Sequence, residues 1–333
     1  GYTTPITEIP ANASGDYTLY AKWSSALGDV FYGCTLNLDG NIAFNMYMNL
    51  TDELKNNPDA YMEFIFPNGS TSQMKVADAR KNGEYYLFSF KVAAKEMTVD
   101  VKARMHAGNN YGKEYTVSVQ EYAEYILTHT NEYSAVVVKL IKSMLNYGTA
   151  AQQLFNYQTD KPANGIMDDS DKTVADYQNV FEKYQYVLTE NNTDSGIKWY
   201  GSSLILESDT CVRDYFQLDS GHSINEYTFT GIIGSNAPVE LTPVEKIINS
   251  NVYYYVEVPN IKAQNLDQSI KVIVNSNGKP SNDIGLQYNA FSYAYVISQN
   301  PDTYQTTIKV TNAMYEYWKN ARAYVDSKSK ANA

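Results

Sequence analysis

Apolar and polar positions alternate over residues 35–38 and again over residues 42–48, where Ile42, Phe44, Met46 and Met48 fall on one side of an extended chain and Ala43, Asn45 and Tyr47 on the other. Between the runs stands Asp39-Gly40, a dipeptide suited to the positive φ of a tight turn, so an antiparallel hairpin is predicted. Further strand patterns occupy residues 61–66, 85–92 and 99–105, punctuated by Pro67-Asn68-Gly69 and Lys81-Asn82-Gly83. Short strands at this spacing predict a β-sandwich. The period then changes. Over residues 119–129 and 134–155 apolar residues recur at helical intervals, as with Val138, Ile141 and Leu145, or Met144, Tyr147, Ala151 and Leu154. A helical hairpin is predicted to close the module.

The whole pattern occurs twice. Tyr32-Gly33-Cys34-Thr35-Leu36-Asn37-Leu38 aligns without a gap on Tyr200-Gly201-Ser202-Ser203-Leu204-Ile205-Leu206, a shift of 168 positions that also places Tyr85-Tyr86 on Tyr253-Tyr254. The shift becomes 170 where Met144, Tyr147 and Ala151 meet Met314, Tyr317 and Ala321. The second copy has strand patterns from residue 203 to about residue 274 and helical ones near residues 290–298 and 304–325. The predicted fold is mainly β with α: two tandem β-sandwich modules, residues 32–157 and 200–325, each followed by a helical hairpin. Residues 158–199 form a polar linker with one predicted amphipathic helix over 172–188, whose face of Val174, Tyr177, Val180, Phe181 and Tyr184 is expected to pack on a module. Duplicated modules suit binding by avidity better than they suit a pocket enzyme, which needs one asymmetric set of reactive groups.

Charge and composition narrow the classes. A net charge of −11 without a basic stripe argues against nucleic acid and anionic membranes as partners. There is no apolar run of membrane-spanning length and no secretory leader, as expected of a piece of a longer chain with no membrane insertion of its own. The two cysteines, Cys34 and Cys211, fall opposite Ser202 and Ala43 in the duplication, so free buried thiols are expected rather than a repeated staple. Tyrosine is abundant, 31 residues against 11 Phe and 3 Trp, which suits half-exposed sheets and recognition surfaces.

No phosphate loop, dinucleotide fingerprint, His-Glu-x-x-His or nucleophile elbow occurs. His106, His129 and His222 lie in different predicted elements. The run from Asp219 to Ser223 holds an Asp, a Ser and a His on one short loop, where triad geometry is hard to reach. Asp168-Asp169-Ser170-Asp171 lacks the glycine and terminal glutamate of a calcium loop and reads as a helix N-terminus. No catalytic residue, metal ligand or cofactor is therefore predicted. The binding candidates are aromatic: Tyr254 on a tyrosine-rich strand, and Tyr315, Lys319 and Arg322, which a helical stripe of Met314, Tyr317 or Trp318, and Ala321 would leave facing solvent.

Residues 7–23, with the ending Gly15-Asp16-Tyr17-Thr18-Leu19-Tyr20-Ala21-Lys22-Trp23, resemble the closing strands of the Listeria–Bacteroides repeat, so residues 1–23 look like its truncated tail. This resemblance implies a secreted parent protein attached to a Gram-positive wall. The paired Tyr-Gly openings, the stretch 119–155 and the second-copy run Asn251-Val252-Tyr253-Tyr254-Tyr255-Val256 resemble repeat domains in large surface proteins of gut commensal Gram-positive bacteria. That group includes immunoglobulin-binding superantigen proteins. The resemblance implies a non-catalytic, adhesin-like surface module whose partner is a host protein, the immunoglobulin Fab or its variable heavy region. The alternatives are a carbohydrate-binding module with a glycan partner, or an architectural spacer.

Overall fold

The computed structural model describes residues 27–38, 40–277 and 283–331. The repeat tail at residues 1–23 and the turn residue Asp39 lie outside the described residues. The first copy runs β1 (Val30–Asn37), β2 (Ala43–Asn49), a short helix α1 (Asp52–Asn56), β3 (Tyr61–Ile65), β4 (Thr71–Lys75), β5 (Arg80–Asn82), β6 (Tyr85–Lys91), β7 (Val101–Ala107), β8 (Asn110–Tyr111) and β9 (Tyr115–Val117). It closes with α2 (Val119–Thr128) and α3 (Ala135–Phe155). After the linker come β10 (Val187–Glu190), β11 (Ile197–Leu206), β12 (Thr210–Leu218), β13 (Tyr227–Ile233), β14 (Val239–Leu241), β15 (Val244–Ile248), β16 (Asn251–Val258), β17 (Ile270–Ser276) and β18 (Ile284–Tyr288). The second copy ends in α4 (Ala290–Ser298) and α5 (Gln305–Ala331).

These strands form four antiparallel sheets, none of them closed, two to each copy. The first copy has the orders β1-β2-β6-β5 and β4-β3-β7-β8, with β9 also on β7. The second has β11-β12-β16-β15 and β10-β18-β17-β13-β14. In β2 Phe44, Met46 and Met48 are buried as expected, but the opposite face is covered too: Ala43 and Asn45 are buried and Tyr47 half-buried. Rings meet between the paired sheets, Phe64 with Phe90 at 4.8 Å and Phe216 with Phe229 at 5.3 Å. Both helical hairpins start from side-chain caps, Ser118 accepting from Glu121 N and Asn289 from Phe291 N and Ser292 N.

The two copies meet through their last helices. α3 packs on α5, and Tyr147 stacks on its own equivalent Tyr317 at 5.7 Å with the ring planes 19° apart. A cavity of about 30 Å³ beside this stack is lined by matching pairs, Ala94 with Ala263, Val92 with Ile261, and Ile42 with Thr210. Residues that meet their own equivalents are the mark of an approximate two-fold axis.

The linker departs from expectation. No α-helix spans residues 172–188; the chain instead makes 3-10 turns at Ala163–Ile166, Asp169–Asp171 and Gln178–Tyr184 and then enters β10, which pairs with β18. The reason is tertiary: the Tyr177 N–H, which a helix would spend internally, donates to Asn312 Oδ1 of α5 at 3.1 Å. The apolar stripe still packs inward, and Phe181 is wholly buried. Polar side chains of α3 fix the other half of the linker: Gln152 Oε1 accepts from Ala163 N at 2.8 Å, and Asn146 bonds both Asn164 and the Asp171 carbonyl at 2.8 Å. The acidic run starts a single 3-10 turn with Asp168 at its N-cap position but without a side-chain cap, and Asp171 pairs with Lys142 at 2.6 Å, so the run also braces the linker on α3. The linker also explains one divergence between the copies. A Cβ on Gly148 would lie 2.8 Å from Met97 Sδ and 2.9 Å from Ala163 Cβ, whereas the equivalent position in α5, free of that crossing, holds Trp318.

Candidate functional site

The helix face predicted to bind is engaged within the protein. Tyr315 is buried, not solvent-facing: its ring lies 4.6 Å from Tyr177, 5.2 Å from Phe291 and 4.9 Å from Trp318. α5 is covered on one side by α3 and on another by α4 and the linker, so its apolar stripe is wider than the single seam read from its period. Arg322 is exposed but pairs with Asp267 at 2.9 Å and lies over Trp318, whose indole N–H donates to the same carboxylate at 3.1 Å. Lys319, also exposed, sits over the Tyr177 ring and donates to its hydroxyl at 3.4 Å. These three residues form a structural network. Tyr254 is half-buried, and its hydroxyl donates to Glu245 at 3.3 Å.

Tyr254 belongs to a more open surface. β15 ends its sheet, and Val244 and Ile247 on it are 44% and 63% exposed, as is Val252, opposite Ile247 on β16, at 44%. By strand alternation Val252, Tyr254, Glu245 and Ile247 share the face that carries the buried Phe216 and Val256 further in. In the first copy the matching edge, β5, is Arg80-Lys81-Asn82, the charged composition that discourages strand addition. The copies also share a β-bulge, between Phe31 and Gly33 and between Trp199 and Gly201, that pushes Tyr32 and Tyr200 outward with their rings 4.1 and 4.4 Å from Tyr85 and Tyr253.

A cleft of about 1030 Å³ lies over the outward face of the first sheet. Its floor is the polar side of β1, β2 and β6, where Ser89 Oγ donates to Asn45 Oδ1 at 2.6 Å and Asn45 Nδ2 to Thr35 Oγ1 at 3.4 Å. One wall comes from β4 and the connection that leads into it, through Phe66, Asn68, Ser70 and Ser72. The other belongs to the second copy: Glu207, Ser208 and Asp209 between β11 and β12, together with Lys262, Tyr324 and Lys328. Lys91 pairs with Asp209 at 2.5 Å and Lys95 with Glu207 at 3.0 Å, so ion pairs hold the second copy against the rim.

Two polar networks, each built around one buried group, His106 or Asp214, were not anticipated from sequence. On β3 and β7, Glu63 Oε2 accepts from Arg104 at 3.1 Å and lies 2.8 Å from His106 Nε2, while Tyr61 OH stands 3.1 Å from His106 Nδ1. These are cross-strand neighbours on one face, and His106 is sandwiched between Tyr61 and Tyr111. Glu63→Ala should cost about 2 kcal/mol in urea unfolding by leaving two donors without their acceptor; a loss below about 0.5 kcal/mol would show the network to be dispensable. In the second copy the fully buried Asp214 accepts from Ser202 Oγ, which in turn accepts from the Trp199 indole at 3.3 Å. Burial pushes the Asp214 carboxyl up to about 7, with the Ser202 hydrogen bond only partly opposing it. The first copy places Phe31, Cys34 and Met46 at the same three positions.

Both cysteines are free, with Cys34 half-buried and Cys211 buried. Burial raises their thiols to about 11 and about 12, so they stay protonated and unreactive at neutral pH. His222 lies 3.0 Å from Glu226 and Lys198 pairs with Asp219, so the Asp219–Ser223 segment is built as a braced turn. Among the described residues no group of three or more His, Cys, Asp or Glu could hold a metal ion, and no helix is long and apolar enough to cross a membrane. No protein-family model matches the chain, and no curated protein matches it.

Proposed function

We propose that this chain is a non-catalytic binding module of a bacterial surface protein, that each pair of sheets is a β-sandwich, and that the module recognises a host protein, the variable region of immunoglobulin. The observation that carries this reading is the open edge of the second copy. β15, Val244-Glu245-Lys246-Ile247-Ile248, ends its sheet in solvent and carries exposed apolar side chains on both faces, Ile247 at 63% beside Val252 at 44% on one and Val244 at 44% on the other. Such an edge can bind by strand addition, in which main-chain hydrogen bonds give affinity and alternate side chains give selectivity. Antibody variable domains are themselves antiparallel sandwiches with sheet edges of their own. The resemblance to immunoglobulin-binding surface repeats supports the same partner.

Because the matching edge of the first copy is Arg80-Lys81-Asn82, the two copies are not equivalent binders and one Fab should bind per chain. The experiment is to pass Fab and Fc fragments of pooled polyclonal immunoglobulin over the immobilised protein. Saturable Fab binding at one-to-one stoichiometry, with Fc silent, is expected. Silence toward Fab would remove the immunoglobulin reading, and two Fab per chain would move the site away from β15.

A further inference from the structure

We propose that the cleft over β1, β2 and β6 is a separate binding site, and that its ligand is an anionic oligosaccharide. The assignment rests on which groups in the cleft are already satisfied. Among the described residues all three acids of its lining are engaged: Glu96 accepts from the Ala93 N–H at 3.1 Å, Glu207 from Lys95 at 3.0 Å, and Asp209 from Lys91 at 2.5 Å and Asn41 at 3.4 Å. Arg80 and Lys262, by contrast, are exposed at the cleft and have no carboxylate partner among the described residues. In a chain with a net charge of −11, the unspent charge on the described lining of this concavity is positive.

The remaining lining selects a hydroxylated ligand. Thr35, Asn45 and Ser89 form a hydrogen-bonded row along the floor, and Asn68, Ser70 and Ser72 stand on the wall beside it. Short amides and hydroxyls both donate and accept, which is what a sugar hydroxyl needs from its surroundings. The Asn45 amide is buried and already oriented by Thr35 and Ser89, so little ordering cost remains on binding. Tyr47 and Tyr324 are half-buried and line the same space; their faces can receive the C–H side of a pyranose ring. A protein partner would meet the polar row of Thr35, Asn45 and Ser89 on the floor alongside the half-buried Leu38, Phe66 and Met74, where a protein interface calls for a predominantly apolar centre. With about 1030 Å³, the cleft is at the upper end of small-ligand sites and accommodates an extended ligand more naturally than a single compact one.

The site exists only because the copies are joined, since Lys262 and the Glu207–Asp209 rim come from the second copy. This gives the duplication a use apart from avidity, and the inference does not depend on the immunoglobulin reading.

The test is a panel of immobilised oligosaccharides with neutral, carboxylated and sulfated members, probed with the wild type, with Arg80→Ala/Lys262→Ala and with Ser89→Trp, which fills the floor. Thermal melting of each variant confirms folding: the double variant should match the wild type because Arg80 and Lys262 are exposed, and Ser89→Trp, which removes the donor to Asn45 Oδ1, should melt slightly lower with one cooperative transition. The wild type should bind anionic members, with affinity falling as salt rises, and the carboxylated and sulfated arms identify the anionic group. The double variant should bind about tenfold more weakly or worse, and Ser89→Trp should not bind. Binding confined to neutral sugars, silence across the panel, or undiminished binding by either folded variant would each overturn the assignment. Fab binding, measured on the same variants with Fab from which glycans have been removed, should be unchanged, so failure here and failure of the immunoglobulin reading remain distinguishable.

Discussion

Asp214→Asn is expected to stabilise the protein by about 4 kcal/mol at pH 8 and to change it little at pH 4. The carboxyl is fully buried, takes one hydrogen bond from Ser202 and leaves Oδ2 without a partner. Desolvation raises it from 3.8 in the unfolded chain to about 7 in the folded protein. The native state therefore holds its proton more tightly than the unfolded state does. The stability associated with that proton is complete below about pH 4, falls as pH rises through 7, and is gone above it. Asparagine keeps the shape and the acceptor for Ser202 without the ionisation, so the variant should lack this slope. Urea unfolding at pH 4, 6 and 8 measures it. Parallel pH profiles for wild type and variant would show that Asp214 is ionised in the native protein across the range.

Phe181→Ala is expected to destabilise the protein by about 3–5 kcal/mol, the usual cost of truncating a fully buried aromatic side chain. Phe181 has no exposed surface and meets Phe291 and Tyr315, each at 5.7 Å between ring centroids. It therefore anchors the segment between the copies onto α4 and α5. A linker that merely tethered two independent modules would tolerate the change, so a loss below about 1 kcal/mol in urea unfolding would show the segment to be a tether. Tyr315→Ala should also destabilise, because the ring is part of this cluster; it cannot serve as a clean probe of binding.

The strands of both copies and their closing helices were legible because the signals are local: Ile42, Phe44, Met46 and Met48 alternate, and Met144, Tyr147 and Ala151 repeat at helical spacing. Tyr315 was misplaced because helical period reveals one stripe, while α5 has neighbours on several sides. The linker helix failed for a similar reason, since the hydrogen bond from Tyr177 to Asn312 joins residues 135 positions apart. The cleft was invisible because its floor comes from the first copy and its far wall from the second, more than a hundred positions along the chain. A signal for the Asp214 network was present but unread. Across the duplication Phe31, Cys34 and Met46 become Trp199, Ser202 and Asp214, a joint change from apolar to hydrogen-bonding side chains on positions that touch.

The edge strand of the second copy carries the functional account, and it is tested most directly by titrating polyclonal Fab against the wild type and Ile247→Glu. This side chain is 63% exposed, so the substitution should leave melting unchanged. The account predicts that Fab affinity falls about tenfold or more, as for a central apolar contact replaced by a charge. Undiminished affinity in the folded variant would contradict it.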